Sequence, residues 1–264
     1  MSTSRKAPGL LTRRRLLGGS LGTAGAVMLG GCDALVQNDN VQRVLETAEA
    51  LSMGSQRLLL SNSKLAREFS EAELSPVFKA NGTQMPDSDE YARLLETKFA
   101  SWRLLIDGKV HQPLRLSLEE LKRLPSRTQI TRHDCVEGWS AIGKWTGVPL
   151  GLLLQTAGLR PDAHYVVFHC ADELEQSLDG SGRYYESIDL IDAFHPQTIL
   201  AYGMNGQDLP VAHGAPLCLR VERQLGYKQA KYVMRIEAVD SLLSLGRGKG
   251  GFWEDRGYEW YAGI

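Results

Sequence analysis

Cysteine is scarce in this sequence, and neither sign of charge dominates. The 264 residues include four cysteines (Cys32, Cys135, Cys170 and Cys218), and 30 basic side chains are balanced by 31 acidic ones. The near balance of charge excludes the strongly basic surface that a nucleic-acid-binding protein needs. If Cys32 is consumed in processing, three thiols remain, and this odd number excludes a simple framework of disulfide bonds. At least one thiol therefore needs another role.

Long apolar runs, repeats and haem-attachment motifs are also missing. The stretch from Leu16 to Gly31 is short and rich in glycine, whereas a membrane span needs about 20 apolar residues. We find no internal repeat, no low-complexity tract and no Cys-x-x-Cys-His motif for covalent haem attachment. What remains after the N-terminal segment is about 230 residues, enough for one large domain or two small ones.

The first 31 residues are typical of an export signal, which is removed before the mature protein acts. Thr12 to Leu17 (TRRRLL) shows the twin-arginine pattern of bacterial export, and Leu29 to Cys32 (LGGC) resembles a lipoprotein cleavage site. Asp33 resembles the residue that keeps some lipoproteins at the inner membrane; an ordinary cleavable signal is the alternative. Five of the 30 basic residues and no acidic residue lie in residues 1–31, so the mature chain carries about six net negative charges. We expect a periplasmic protein, anchored at the inner membrane if Cys32 is lipidated.

Hydrophobic spacing predicts how the rest of the chain is divided. Residues 33–70 follow helical periodicity and are interpreted as an anchor or stalk. The predicted division is thus a signal (1–31), a helical stalk (32–70) and one domain (71–264). Strands and short helices follow one another in that domain without strict alternation, which indicates the α+β class. The aromatic C-terminal segment is expected to pack back on the domain.

Several short signals predict where individual elements begin and end. Ser117 followed by Glu120 has the spacing of a capping box at the start of a helix. Gly158 is expected to end the apolar helix VPLGLLLQTAG. Asp107-Gly108 and Asn205-Gly206 predict tight hairpin turns between strands.

Cys135 lies in the most informative stretch, Arg132 to Ser140 (RHDCVEGWS), where a strand-like segment ends. A soft thiolate is a good ligand for a metal that changes its oxidation state. The plain alternative is a buried thiol, since free cysteines are among the most buried residues. Charged neighbours such as Asp134 and Glu137 argue against inert burial, but the residues alone leave both interpretations open.

Five segments between Trp102 and about Asp240 carry a family resemblance. They are WRLLIDG, CVEGWSAIGKWTGVPLGLLL, YVVFHCAD, HPQTILAYGMNGQDLPVAHGAP and LGYKQAKYVMRIE. Together and in this order they resemble the sulfite-oxidase-like molybdenum–molybdopterin family. The small exported bacterial members are the most similar, among them the catalytic subunit of periplasmic methionine sulfoxide reductase. The resemblance implies a sulfite-oxidase-type molybdopterin-binding domain of mixed sheets, an oxidoreductase activity and a molybdenum–molybdopterin cofactor.

The resemblance also assigns site residues by position. Cys135 matches the cysteine that completes the molybdenum centre and is the expected catalytic residue. Oxygen-atom or two-electron transfer would belong to the cofactor, while the protein sets orientation and electrostatics. Outside the family, a Lys-x-x-Lys pair such as the one in GYKQAK would be read as a solvated surface. Besides Cys135, the expected cofactor contacts are Lys79, Ala80, Asn81, Cys170, His213, Lys228, Gln229, Ala230 and Lys231.

Cys218 departs from the family pattern, which has an arginine here that contacts the pterin phosphate. Arg220 would share a strand face with position 218. We hypothesise that Arg220 or the lysines supply the missing charge, and an Arg220→Ala variant with full cofactor occupancy would refute the idea. Cys170 and Cys218 could also approach each other and form a disulfide bond.

Ser140 is a second departure. Sulfite oxidases have an arginine five residues after the ligand cysteine, and here that position holds Ser140. An anionic substrate therefore loses a charge-assisted partner, which favours a neutral oxo-compound such as a sulfoxide. Without a haem motif, electrons would be exchanged with a separate partner, by analogy a membrane b-type cytochrome. The alternatives are a sulfite dehydrogenase catalytic subunit and a non-catalytic lipoprotein that uses the same fold for binding.

Overall fold

Two β-sheets and several short helices make up the described part of the protein. The computed structural model describes residues 39–59, 64–175, 177 and 182–264. The chain divides into two units after Gly54, and all strands of the described residues belong to the second unit, Ser55–Ile264. The predicted export signal and Cys32 lie outside the described residues.

Helices and strands follow one another in a mixed order. The helices are α1 (Asp39–Leu59), α2 (Asp89–Glu96), α3 (Leu118–Arg123), α4 (Leu150–Ala157) and α5 (Leu190–Ala193). The strands are β1 (Arg103–Gly108), β2 (Leu114–Ser117), β3 (Arg127–Asp134), β4 (Ser140–Pro149), β5 (Tyr165–Glu173), β6 (Arg183–Asp189), β7 (Ile199–Met204), β8 (Gln207–Asp208), β9 (Cys218–Arg220) and β10 (Val233–Val239). Short 3-10 turns cover Glu71–Glu73, Val211–His213, Gly226–Lys228 and Glu254–Arg256.

The two sheets differ in how their strands are paired. The first has the order β2-β1-β10-β5-β6, in which β1 and β10 run parallel with Ile106 opposite Ile236. The second has the order β3-β4-β7-β8, with β9 also paired to β7, and its strands are antiparallel. These mixed sheets with short helices confirm the predicted α+β class.

One large hydrophobic core contacts both sheets. Alternation along β1 buries Leu104 and Ile106, because successive side chains of a strand point to opposite faces. Phe168 of β5 joins them from the first sheet, while Val148 and Leu200 enter the same core from the second. The shared core fixes the second sheet, whose β3–β4 turn holds Cys135, against the first.

The local sequence signals are largely confirmed. Ser117 caps α3, and Glu120 completes the capping box by accepting from the Ser117 N–H. Gly158 ends α4 in the left-handed conformation with a φ of +67°. Asn205 and Gly206 form the two-residue turn between β7 and β8, both with positive φ. The C-terminal segment packs back on the body, with Phe252 and Glu254 among its buried residues.

The predicted helix of residues 33–70 is shorter in the structure. Helix α1 ends at Leu59, and residues 64–69 are not helical. Glu68 pairs with Thr131, and the Phe69 N–H donates to the Ile130 carbonyl oxygen over 2.9 Å. The edge of β3 thus satisfies this backbone better than a further helical turn would. Within the described residues, no helix combines the length and apolar character needed to cross a membrane.

The predicted tight turn at Asp107-Gly108 is wrong in detail. Strands β1 and β2 do form an antiparallel pair, but the connection spans residues 109–113. Asp107 and Gly108 still belong to β1, where they pair with Glu237 and Ala238 of β10. Gly108 is required there because a Cβ would lie 2.3 Å from the Ala238 carbonyl oxygen. That close approach comes from a distant strand and leaves no local signal.

Candidate functional site

Cys135 is the first residue after β3, in the tight turn to β4. Its N–H donates to the Trp139 carbonyl oxygen over 2.9 Å, and the Gly138 N–H donates back to the Cys135 carbonyl oxygen over 3.0 Å. Gly138 has a φ of +84°, a left-handed conformation that glycine adopts at little cost. The turn therefore holds a half-buried thiol in a fixed place at the end of a strand.

A cleft with a volume of about 170 Å³ opens beside this thiol, and we call it the Cys135 cleft. Its other walls come from the loop at residues 81–83, from Asp172 near the end of β5, from the loop at residues 226–231 and from Trp253 in the C-terminal segment. Parts of the chain that are distant in sequence thus converge on one thiol.

A narrower recess of about 20 Å³ adjoins the cleft and shares Asn81, Gln229 and Lys231 with it. Its other walls are aromatic, basic and thiol side chains, chiefly Phe78, His133, Trp145, His213, Cys218 and Arg220. The cleft and the recess are thus neighbouring cavities, and Cys135 lines the cleft.

Buried polar atoms without hydrogen-bond partners are concentrated in these walls. Of the eight such side-chain atoms among the described residues, four line the cleft or the recess: Nε2 of His133, Nε1 of Trp145, Oδ1 of Asp172 and Oε1 of Gln229. A buried donor or acceptor without a partner is costly. Their grouping in one place indicates a site for a ligand with several donors and acceptors along its edge.

Lys231 supplies a positive charge between the cleft and the recess. Its ammonium group donates to the backbone carbonyl oxygens of Asn81 (2.7 Å), Ala212 (2.9 Å) and Thr83. Burial lowers its pKa to about 8, so it remains mostly charged at neutral pH. Within the described residues Lys231 forms no ion pair, and an anionic ligand would offset the cost of burying this charge.

Arg220, by contrast, has its charge balanced inside the protein. Its guanidinium donates to both carboxylate oxygens of Glu222, over 2.9 and 2.7 Å, and lies 4.2 Å from the centre of the Trp145 ring. Its third nitrogen lies 3.2 Å from Nδ1 of His133. The hypothesis that Arg220 compensates for Cys218 stays a prediction, and the unpaired Lys231 is the better-placed cation.

The contact with Arg220 also fixes the state of His133. Because arginine can only donate, Nδ1 is the acceptor and the ring carries its proton on Nε2, which has no partner. Burial, and then the charge of Arg220, lower the pKa of His133 to about 3. His133 is therefore a neutral donor to whatever occupies the recess.

Lys228, a predicted cofactor contact, is directed away from the cleft. Its side chain is fully buried, and its ammonium group lies 2.5 Å from Oε1 of Glu186 and 2.6 Å from Oε1 of Glu254. Burial, followed by repulsion from Glu254, raises the pKa of Glu186 well above its usual range. One ammonium cannot fully offset two buried carboxylates, so burial and this repulsion favour the neutral form of Glu186.

The early loop residues lie around the mouth of the cleft. Asn81 borders both cavities, and Ala80 is half-buried beside it. Lys79 is exposed, with its ammonium group 3.3 Å from Glu137 and 5.7 Å from the centre of the Trp139 ring. The structure thus brings Asn81 to the cavity and places the charge of Lys79 at the outer rim.

Of the three remaining predicted cofactor contacts, only one lines the recess. His213 lines the recess with its ring 5.5 Å from that of Phe78. Ala230 is buried, and its carbonyl oxygen accepts from the N–H of Leu219 over 2.8 Å. Cys170 lines a separate cavity of about 440 Å³, which is bordered by Tyr184, as the Cys135 cleft is.

Cys170 and Cys218 are both buried free thiols, so the disulfide bond considered from the sequence does not form. Cys170 belongs to β5 in the first sheet, and Cys218 to β9 in the second, and they line different cavities. Burial raises the pKa of Cys218 to about 12. Cys218 is therefore a neutral, inert wall of the recess.

The hydroxyl of Ser140 is hydrogen-bonded to a neighbouring carboxylate. Its hydroxyl donates to Oδ1 of Asp134, whose Oδ2 accepts from Nε of Arg132 over 2.9 Å. The position that holds an arginine in sulfite oxidases thus presents a small, neutral group here. Arg132 is largely exposed, and its charge is directed to Asp134.

Sequence reasoning missed several residues of the cleft. Asp172 lies two residues after Cys170 in β5, and the alternation of a strand places both on one face; that spacing could have revealed it. Burial raises the pKa of Asp172 to about 6. Trp253 and Tyr258 come from the C-terminal segment, and nothing in their local sequence indicates which surface they cover.

Molybdopterin fits this donor set. A neutral His133 donor, the Trp145 N–H and the Gln229 carbonyl oxygen can pair with the polar edge of a pterin, and Lys231 can accompany an anionic group. A thiol that is only half-buried can reach a metal at the cleft. The residues that would hold the group are thus Cys135, His133, Gln229 and Lys231, with the Asn81 loop and His213 closing the walls.

Gly226→Ala should disturb this arrangement. A Cβ at Gly226 would lie 2.4 Å from Nε2 of His133, on a ring that Arg220 holds in place. We expect the free energy of unfolding to fall by about 1–3 kcal/mol, and the molybdenum content of the purified protein to fall with it. Gly54→Ala is the control, because a Cβ there meets nothing within 4 Å. Thermal unfolding and elemental analysis would measure both effects, and a variant as stable and as loaded as the control would contradict the predicted contact.

Known proteins share this sequence over much of its length. The pattern of the family described as "Oxidoreductase molybdopterin binding domain" matches residues 92–243, more than half of the chain. A relative from Azospira oryzae, named putative protein-methionine-sulfoxide reductase subunit YedZ1, is 37% identical over 96% of this chain and 88% of its own. The protein-methionine-sulfoxide reductase catalytic subunit MsrP from Xanthomonas axonopodis pv. citri is 36% identical over 61% of this chain.

These likenesses differ in how much of each protein they cover. The chain spans 51% of the length of the Xanthomonas protein. Among solved structures, the sulfane dehydrogenase SoxCD from Paracoccus pantotrophus aligns over 53% of this chain and 38% of its own, with 26% identity and a TM-score of 0.47. The family match and the Azospira relative together decide the assignment. The chain belongs to the oxidoreductase molybdopterin-binding domain family and is a molybdopterin-dependent oxidoreductase with a molybdenum–molybdopterin cofactor.

Proposed function

We propose that this enzyme is exported and reduces a neutral sulfoxide, or a comparable small oxo-compound, with electrons from a separate partner. The observation that carries the proposal is the Ser140 hydroxyl bonded to Asp134, where sulfite oxidases have an anion-binding arginine. An anionic substrate would find no charge-assisted partner at that position. The names of the Azospira and Xanthomonas relatives, both protein-methionine-sulfoxide reductase subunits, favour the same reaction.

The reaction balances as one sulfoxide, two electrons and two protons giving one sulfide and one water. When bound, the molybdenum cofactor supplies the two-electron and oxygen-atom transfer chemistry. The chain itself has to hold the metal, orient the substrate and provide protons. Burial raises the pKa of the Cys135 thiol, so binding of the metal is needed to make it a thiolate at neutral pH.

Asp172 is the best-placed group to hold a proton. Its Oδ1 is buried without a partner among the described residues, and it lines the same cleft as Cys135. With a pKa raised to about 6 by burial, it can both carry and release a proton near neutral pH. Gln229 and Lys231, on neighbouring walls, provide an amide and a positive charge that can orient polar groups.

The N-terminal sequence and the chemistry support a cellular setting for this proposal. The twin-arginine pattern and the LGGC sequence favour a periplasmic protein, held at the inner membrane if Cys32 is lipidated. Each turnover needs two electrons, and the sequence has no haem-attachment motif. A membrane b-type cytochrome is the electron partner that we propose.

A substrate panel tests the proposed function. Protein matured in the periplasm and loaded with molybdenum is assayed with a reduced viologen as the electron donor, against sulfoxides and N-oxides. The same preparation is assayed for oxidation of sulfite with an electron acceptor. We expect viologen oxidation with a sulfoxide and none above background with sulfite. Sulfite oxidation without sulfoxide reduction would overturn the proposal and favour a sulfite dehydrogenase.

A further inference from the structure

Three aromatic side chains form one wall of the Cys135 cleft. Trp253 and Tyr258 are stacked, with ring centres 5.4 Å apart and planes at 29°. The ring of Tyr227 meets that of Tyr258 edge-on at 5.2 Å. All three line the cleft that holds Cys135, and 41% of Tyr258 remains exposed. We call them the aromatic wall.

The aromatic wall is held in place by buried and partly buried polar contacts. Glu254, next to Trp253, is bound 2.6 Å from the ammonium group of the fully buried Lys228. The hydroxyl of Tyr227 donates to the carbonyl oxygen of Glu259 over 2.6 Å. Asp255 accepts from the hydroxyl of Tyr185 on β6 over 2.6 Å. The two residues after Trp253 are therefore anchored, and its ring is stacked on Tyr258. A ligand would find this wall already ordered.

Trp253 and Tyr258 lie beyond the part of the chain that the family pattern matches. The family pattern ends at residue 243, whereas Cys135, Lys231 and most residues of the recess fall within it. The segment after residue 243 adds a surface to the cleft without contributing to the recess. Such a surface is suited to selecting among substrates rather than to holding the cofactor.

We propose that Trp253 and Tyr258 form a specificity subsite that stacks on an aromatic substituent of the substrate. Val136 and Leu174 add apolar surface to the same cleft. An aryl group can stack offset or edge-on against the wall, whereas a saturated ring of similar size gains only apolar contact. The inference rests on the proposed sulfoxide reduction and adds to it a preference for aryl over alkyl sulfoxides.

The test compares two substrates of similar size, methyl phenyl sulfoxide and methyl cyclohexyl sulfoxide, with the molybdenum-loaded, full-length enzyme. We expect kcat/KM to favour the phenyl compound by roughly fivefold to tenfold. Trp253→Leu should remove most of this preference, while Trp253→Phe should keep it. Tyr258→Leu, at a more exposed position, provides a second variant if Trp253→Leu fails to fold.

Binding without turnover provides an independent readout. The corresponding sulfones, methyl phenyl and methyl cyclohexyl sulfone, are titrated by calorimetry into the same proteins, and the phenyl sulfone should bind the wild type more tightly by a similar factor. Equal affinity and equal kcat/KM for the two rings in the wild type would overturn the aromatic subsite while leaving sulfoxide reduction intact. Reduction of neither sulfoxide would instead overturn the proposed function, and the sulfone titration would still decide the subsite.

Discussion

Replacing Cys135 with serine is expected to lower turnover by more than about 100-fold, because a first ligand contributes more than the groups that orient it. The serine oxygen is a harder and far more basic ligand than a thiolate and suits a redox-active molybdenum centre poorly. The turn should survive, since the backbone of Cys135 and not its side chain makes the bonds to Trp139 and Gly138. The measurement is viologen-linked turnover, with circular dichroism and thermal unfolding to show that the fold is retained.

Val136→Ala is the matched control for this variant. It alters the same turn and the same cleft but keeps the thiol. The control should retain its molybdenum and the spectrum of the bound cofactor. A Cys135→Ser protein with wild-type turnover would show that this thiol is one of the ordinary structural cysteines, the alternative that the residues alone left open.

Replacing Lys228 with alanine is expected to reduce the free energy of unfolding by about 3–5 kcal/mol. The change removes the cation between Glu186 and Glu254, whose side chains are at most 1% exposed. The two buried carboxyl groups would then have to become neutral or move toward water. Glu254 would no longer hold the segment that bears Trp253. Chemical denaturation, followed by fluorescence, measures the loss.

Lys122→Ala is the control for the loss of an ion pair. Its partner Asp208 is 85% exposed, and pairs of this kind contribute about 0–1 kcal/mol. A triple variant, Lys228→Met with Glu186→Gln and Glu254→Gln, should recover part of the stability, because no buried charge is left unpaired. If Lys228→Ala were as stable as Lys122→Ala but empty of cofactor, Lys228 would be a direct cofactor contact, as the family resemblance suggested.

The behaviour of the two lysines shows where sequence information stops. GYKQAK predicts a basic loop, and the loop does reach the cavity through Gln229 and Lys231. Which lysine faces the ligand depends on carboxylates that are distant in sequence: Glu186 and Glu254 draw Lys228 inward. Spacing within a loop carries no information about such partners. Lys231, three residues on, donates to carbonyl oxygens and forms no ion pair within the described residues, so its charge stays available.

Short sequence motifs predicted the structure correctly where the hydrogen bonds or turns they form involve neighbouring residues. The capping box at Ser117 and the Asn205-Gly206 turn depend on residues at most three positions apart, and both form. The predicted turn at Asp107-Gly108 failed because β10, more than a hundred residues later, pairs with those two residues. The aromatic wall was not predicted from the sequence for the same reason. The position of Trp253 is set by the contact of Glu254 with Lys228, which is distant in sequence.

X-ray absorption at the molybdenum edge can show directly whether Cys135 binds the metal of a molybdopterin cofactor. Protein matured in the periplasm should contain stoichiometric molybdenum, and its sulfur shell should hold one sulfur more than the pterin dithiolene supplies. In Cys135→Ser that additional sulfur should be missing from whatever molybdenum remains. A wild-type protein without molybdenum, or a sulfur shell that is identical in the two proteins, would contradict the account.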